Sequence, residues 1–167
     1  MDYERTLGTD VGIVRIFNTY GPGMRRDDGR AIPNFIVQAL MGEPFSVYGD
    51  GTQTRSFMYI DDLLEGLIAM MESEEPGPIN LGNPDECVDM NVLLDKLADA
   101  MFPFGIPPRN RLPLPKDDPT HRLPDIKRAK TMLGWEPEVS LVDGLKKTIE
   151  YFREDLEKPH PIWRPGL

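Results

Sequence analysis

Only one cysteine, Cys87, occurs among the 167 residues. An internal disulfide and a cysteine-built metal centre are therefore excluded. There are only two histidines, His121 and His160. Neither has a Cys or a second His at ligand spacing, so both read as surface residues and no metal site is expected. A lone thiol suits a reducing compartment, and the cytoplasm is the expected location. Basic excess is also absent: 19 Lys and Arg face 28 Asp and Glu, for a formal net charge of −9. Without a basic stripe, nucleic acid is not an expected partner. No apolar run is long enough to span a bilayer and the first residues carry no export-signal pattern, so neither membrane nor export is expected. The acidic excess serves solubility. A phosphorylated ligand would have to be held by local arginines against an unfavourable overall field.

What is present fits one ordinary soluble domain, with 40% hydrophobic and 28% charged residues. Residues 1–8 read as the end of a helix closed at Gly8. Val11 to Phe17 is an apolar run, interrupted by Gly12 and Arg15, that predicts a buried parallel strand. Pro33 predicts a helix start, with Phe35, Ile36, Ala39 and Leu40 at helical spacing. Asp61 reads as the N-cap of a helix over 62–72 whose buried stripe is Leu63, Leu64, Leu67, Ile68 and Met71. A short strand is expected over 78–82 and an amphipathic helix over 91–101, with Leu93, Leu94, Leu97 and Ala98 inward. An edge-strand pattern at Arg109 to Leu114, a short helix over 126–133 closed by Gly134, and a last helix over 141–152 complete the series. Trp135 is expected to pack under the preceding helix. The tail from residue 157, with three prolines and Trp163, reads as poorly ordered.

Residues 47–62 organise the rest. A β-prone piece, Phe45 to Tyr48, enters a turn at Gly49-Asp50-Gly51, and a second, Ser56 to Ile60, follows Thr52, Gln53, Thr54 and Arg55. A fork-shaped cation just past a two-glycine turn can hold a phosphate through two parallel charge-assisted hydrogen bonds. The same pattern also suits a hairpin whose Arg pairs with a surface carboxylate. The Asp117-Asp118 pair admits acid/base chemistry or a metal, but a loop cap beside Pro119 is the simpler reading. Cys87 has no nucleophile context.

The alternation of elements is that of an α/β protein. Yet the strand, glycine-rich turn and helix that open a dinucleotide fold are not found; Gly21, Gly23 and Gly29 have the wrong spacing. The expected architecture is the last parallel strands of a Rossmann-type fold plus a small α/β substrate-binding domain. Residues 1–24 would end the Rossmann domain, 25–156 would form the substrate region with interleaved late strands, and 157–167 would be a tail.

Six blocks then fall in one order: Arg15-Ile16-Phe17-Asn18-Thr19-Tyr20-Gly21-Pro22, Asp28-Gly29-Arg30, Val47 to Asp62, Asn80-Leu81-Gly82-Asn83, Asp117 to Asp125, and Lys130 to Pro137. Together they resemble the C-terminal half of the UDP-glucuronate decarboxylases (UDP-xylose synthases). These belong to the extended short-chain dehydrogenase/reductase family. The resemblance implies a UDP-sugar substrate and NAD as cofactor. The sugar would be oxidised at carbon 4, lose carbon dioxide, and be reduced again, with the cofactor carrying the hydride.

The resemblance also implies roles. Asn18 would face the substrate diphosphate, or cap the strand-end turn. Thr19, Arg25 and Arg30 would lie near the nicotinamide half of NAD; the two arginines also read as solvated loop charges. Asn34 would meet the nucleotide, or solvent. Tyr48 and Gln53 would line the uridine and phosphate region, with Tyr48 equally suited to packing. Arg55 would clamp the pyrophosphate, where a charged hydrogen bond contributes roughly 1.5–3 kcal/mol. Arg122 is the candidate catalytic residue and also a substrate contact, pairing with the sugar's carboxylate and the diphosphate; it could instead satisfy Asp117, Asp118 or Asp125. Tyr3 matches a position near the substrate.

The departures are as informative. No Tyr-x-x-x-Lys acid/base pair is present; Tyr3 is followed four residues on by Leu7. Gly23 stands where the family has an Arg after Tyr-Gly-Pro. The chain alone is therefore expected to be inactive and to need the N-terminal half or a full-length subunit as partner. A homodimer is allowed for the intact enzyme only. Two alternatives stay open: part of a UDP-glucose 4-epimerase or nucleotide-sugar 4,6-dehydratase, or a non-catalytic UDP-sugar binding module.

Overall fold

The computed structural model describes residues 2–101, 107–116 and 119–158, with side chains from residue 5 onward. The Asp117-Asp118 pair, the Tyr3 side chain, and the tail with His160 and Trp163 lie outside the described residues.

Helix α1 (Asp2–Leu7) ends at Gly8, which takes a left-handed φ of 64°. Strand β1 (Val14–Ile16) pairs in parallel with β6 (Ile79–Leu81), with Arg15 opposite Asn80. The apolar run therefore does form a parallel strand, but a shorter and less buried one than its composition suggests. Ile16 is 53% exposed. Among the described residues β1 has a partner on one side only, so its second edge is open.

Strand β2 (Thr19–Tyr20) pairs in parallel with β5 (Met58–Tyr59). Helix α2 (Ala31–Leu40) starts two residues before Pro33 and buries Ile32, Phe35, Ile36 and Ala39. The anticipated hairpin does not form. Strand β3 (Phe45–Tyr48) pairs in parallel with β8 (Arg109–Leu112). Strand β4 (Thr54–Ser56) pairs antiparallel with β7 (Cys87–Asp89) and parallel with β9 (His121–Arg122). The turn between β3 and β4 is drawn elsewhere: the Gly51 carbonyl accepts from the backbone N–H of Met90 (3.0 Å) and Asn91 (3.3 Å) at the start of helix α4 (Met90–Met101).

Helix α3 (Ile60–Glu72) has Tyr59 rather than Asp61 at its N-cap; Asp61 and Asp62 lie in the first turn, where the helix dipole favours their charge. Its buried face also differs from the expected stripe. Asp62, Leu63, Gly66 and Met70 are buried, whereas Leu64, Ile68 and Met71 are 50%, 54% and 84% exposed. Gly66 lies on the buried face, where an added Cβ would stand 3.0 Å from the Leu81 and Trp135 side chains, so α3 packs closely on β6 there. Trp135 is buried, and its indole N–H donates to the Asp62 carbonyl (3.0 Å). The Asp62 carboxylate accepts from the backbone N–H of Glu138 and Val139, tying the loop after a short π-helical turn (Ala129–Leu133) to α3.

Two cores result. The larger joins α2, β3, α4 and the last helix, α5 (Leu141–Leu156), which runs four residues further than expected. Leu93, Leu94, Leu97 and Ala98 of α4 are all buried, as their spacing requires. The smaller packs α3 against β6, Ile126, Ala129 and Trp135. Among the described residues no helix is long and apolar enough to cross a membrane.

Candidate functional site

The site is built where the chain leaves β1 and crosses to β2. The Phe17 N–H donates to the Leu81 carbonyl (2.9 Å), and the Asn18 carbonyl accepts from Met58 N–H (2.9 Å). Residues 17–19 thus bridge two separate strand pairs. The Thr19 hydroxyl donates to the Phe17 carbonyl (2.9 Å), which fixes the bend. Tyr20 points inward, 2% exposed, with its phenol donating to the Leu141 carbonyl (3.2 Å). Burial, with a smaller contribution from Glu86, pushes that phenol far above its ordinary pKa. It stays a protonated donor, an anchor for α5 rather than an acid/base group.

A cavity of about 340 Å³ opens between this bend, the start of α2, and strands β3 and β4. Its wall includes Asn18, Thr19, Arg30, Asn34, Tyr48, Gln53 and Arg55, seven of the candidate residues. Several are already held in place. The Asn34 amide donates to the Gly29 carbonyl (3.1 Å), and the Gln53 amide to the Tyr48 carbonyl (3.0 Å). Arg55 is half-buried and donates from Nη1 to the Thr54 carbonyl (2.8 Å). Apolar wall comes from Pro33, Phe35, Val47 and Phe57. Gln38 fixes the β3 wall by donating to the Ser46 hydroxyl (2.9 Å) and accepting from the Ser46 N–H (3.0 Å).

A second cavity, about 570 Å³, is lined by Arg15, Ile16, Phe17, Asn18, Thr19, Arg30 and Arg122. Asn18, Thr19 and Arg30 belong to both walls, so the two cavities adjoin. The β4–β9 register sets Arg55 opposite Arg122. Arg55 lines the first cavity and Arg122 the second.

The remaining expected positions divide. Arg30 is at the shared wall but is engaged by Asp28, through a short contact from Nε and a 2.7 Å bond from Nη2. Arg25 is turned to Asp27 (2.9 and 2.7 Å) and lines neither cavity. Sequence reasoning missed Arg15, Ser46, Phe35 and Phe57. For Arg15 a signal existed: it is the one charge inside the apolar run of residues 11–17.

The Arg30 guanidinium holds the Asp28 carboxyl below its ordinary 3.8. A depressed folded-state value means that the pair's contribution is complete above the unfolded pKa and is lost as pH falls through the folded one. A carbon-detected NMR titration should place the Asp28 midpoint below 3.8. In Arg30→Gln the midpoint should move up; an unmoved midpoint would contradict the pairing.

Residues 1–82 match the model of the NAD dependent epimerase/dehydratase family. Over 157 residues the chain is 48% identical to UDP-glucuronic acid decarboxylase 1 of Xenopus tropicalis, covering 93% of this chain and 36% of that protein. The solved UDP-glucuronic acid 4-epimerase of Bacillus cereus, in complex with UDP-glucuronic acid and NAD, superposes with a TM-score of 0.81 at 33% identity, over 91% of this chain and 48% of that one. The UDP-glucose 4-epimerase of Thermotoga maritima with UDP-glucose gives 0.83 at 32% identity, over 92% and 49%. The chain thus spans between about a third and a half of the length of these relatives. In sequence and in fold, the chain is similar to members of the NAD dependent epimerase/dehydratase family, whose model its residues 1–82 match.

Proposed function

We propose that the chain is the nucleotide-sugar binding half of an NAD-dependent UDP-glucuronate decarboxylase that makes UDP-xylose. The observation that carries this is the pair of adjoining cavities. One has apolar walls and Arg55, as a uridine diphosphate requires; the other is cationic and holds Arg122. In this reading Asn18 faces the diphosphate from the shared wall, and Arg55 clamps it. Tyr48, Gln53 and Asn34 border the nucleoside. Arg122 holds the sugar carboxylate out of the ring plane, where the carbon–carbon bond breaks most easily. Residues 1–24 would complete a dinucleotide domain and 25–156 would carry the substrate.

NAD, when bound, would take a hydride from the sugar and return it. These residues fit that cofactor only at its edge. Thr19 and Arg30 line the cavities, Arg25 does not, and the 167 residues hold neither a glycine-rich dinucleotide turn nor a Tyr-x-x-x-Lys pair. In this reading the catalytic partner is an N-terminal half or a full-length subunit, the compartment is the cytoplasm, and the intact enzyme allows a homodimer.

Calorimetry with UDP and UDP-glucuronate tests the binding role: no heat at millimolar UDP would remove it. Co-expression with the N-terminal half of a decarboxylase tests the chemistry. UDP-4-keto-pentose or UDP-xylose is the expected product. UDP-galacturonate would instead favour a 4-epimerase, the reading suggested by the likeness to the Bacillus cereus enzyme. Binding with no product from any pairing would leave a non-catalytic UDP-sugar module.

A further inference from the structure

The cationic cavity holds more charge than Arg122 can account for. Three arginines line it and, among the described residues, no carboxylate does, in a chain whose acidic residues outnumber its basic ones by 28 to 19. Arg30 is neutralised by Asp28. The guanidinium groups of Arg15 and Arg122 make no hydrogen bond or ion pair among the described residues. They also come from different sheets: Arg15 from the middle of β1, Arg122 from the end of β9. The backbone of Arg15 is held by pairing with Asn80, so its side chain springs from a strand and not from a loop. Two unneutralised guanidiniums on separate supports, facing one cavity, can bracket a planar anion from two sides.

We propose that Arg15 is a specificity-determining residue that selects a carboxylate on the sugar end of the ligand. This rests on the proposed nucleotide-sugar reading and deepens it. The base and diphosphate are held in and beside the first cavity, where Arg55 lies, so Arg15 is not needed for UDP itself. It acts only when the sugar reaching into the second cavity carries a negative group. A neutral hexose leaves Arg15 facing water. A uronate replaces that water with a charged, forked hydrogen bond.

The test titrates the full chain with UDP, UDP-glucose and UDP-glucuronate, as wild type and as Arg15→Gln. Wild type should prefer the uronate over the neutral sugar by about tenfold or more, the range of one charged hydrogen bond. Arg15→Gln should erase most of that preference and leave UDP affinity unchanged. An intact preference in Arg15→Gln, or equal weakening of UDP and UDP-glucuronate, overturns the assignment while the nucleotide-sugar reading stands. Absence of UDP binding by wild type removes both. A second measurement does not depend on the variant's folding: phenylglyoxal labelling of wild type, read by mass spectrometry at Arg15. UDP-glucuronate should protect Arg15 and UDP-glucose should not; equal protection, or none, overturns the proposal.

Discussion

Replacing Gly144 with alanine is expected to lower stability by about 2–3 kcal/mol, the upper part of the overpacking range. Gly144 sits in the first turn of α5, against the tyrosines that anchor that helix. An added Cβ would fall 2.2 Å from the Tyr20 hydroxyl oxygen and 2.8 Å from a ring carbon of Tyr59. Neither ring can easily give way. Tyr20 packs edge-on to Phe57 and Tyr59, at centroid distances of 6.3 and 5.7 Å, and its phenol is tied to the Leu141 carbonyl. Relief therefore has to come from moving α5. A urea melt of Gly144→Ala reads the loss. The double variant with Tyr20→Phe removes the nearest atom and should be more stable than the two single losses added together, a coupling of about 1 kcal/mol. Strict additivity would show that the two residues do not meet. Because Tyr20 also borders the first cavity, the single variant should weaken UDP binding along with the fold.

Phe152→Ala should lower stability by about 3–5 kcal/mol. That is a large share of the roughly 5–15 kcal/mol of a typical domain. Phe152 is fully buried at the far end of α5, in line with Leu141, Leu145 and Ile149. These four residues form the face that α5 turns to α2 and α4, and the rest of the helix is largely polar. The start of the helix is secured separately: Ser140 accepts from the Asp143 N–H (3.2 Å), and Glu86 accepts from the Leu141 N–H (2.7 Å). Loss at Phe152 should thus loosen the C-terminal turns first. Amide exchange should accelerate over residues 149–156 before it does near Leu141. Truncating the exposed Val142 is the control, with an effect within about 0.5 kcal/mol. Equal effects at the two positions would mean that α5 is not seated as described.

The order of elements could be read from the chain because most segments satisfy one pattern cleanly. The inward face of α4 follows from Leu93, Leu94, Leu97 and Ala98 alone, and Gly134 does close its helical turn, at φ 62°. What could not be read was pairing across long separations. Phe45 to Tyr48 and Ser56 to Ile60 look like hairpin arms because they are neighbours, yet β3 pairs with β8, β4 with β7 and β9, and β5 with β2. Local alternation carries no information about which distant strand completes a sheet. Nor could apolar spacing choose between the two hydrophobic arcs of α3; the buried one carries Gly66, a residue without a side chain to count. The site was legible to a similar degree. Polar residues flanking strand ends were placed at the cavities, because such ends converge. Arg25, on a loop with Asp27 two residues away, was taken by its neighbour instead. Arg15 was overlooked because a charge inside an apolar run looks like an interruption.

Thr54 and His121 are 67 positions apart, yet they are register partners in β4 and β9, and their side chains hydrogen-bond. Long spacings of this kind recur in the other parallel pairings. During synthesis, then, β1, β3 and β4 emerge well before the strands that will lie beside them. Closing such wide loops is entropically slow, and half-made chains display bare strand edges in the meantime. Chaperone demand on the ribosome should accordingly fall only once the segment that carries Arg122 has cleared the exit tunnel.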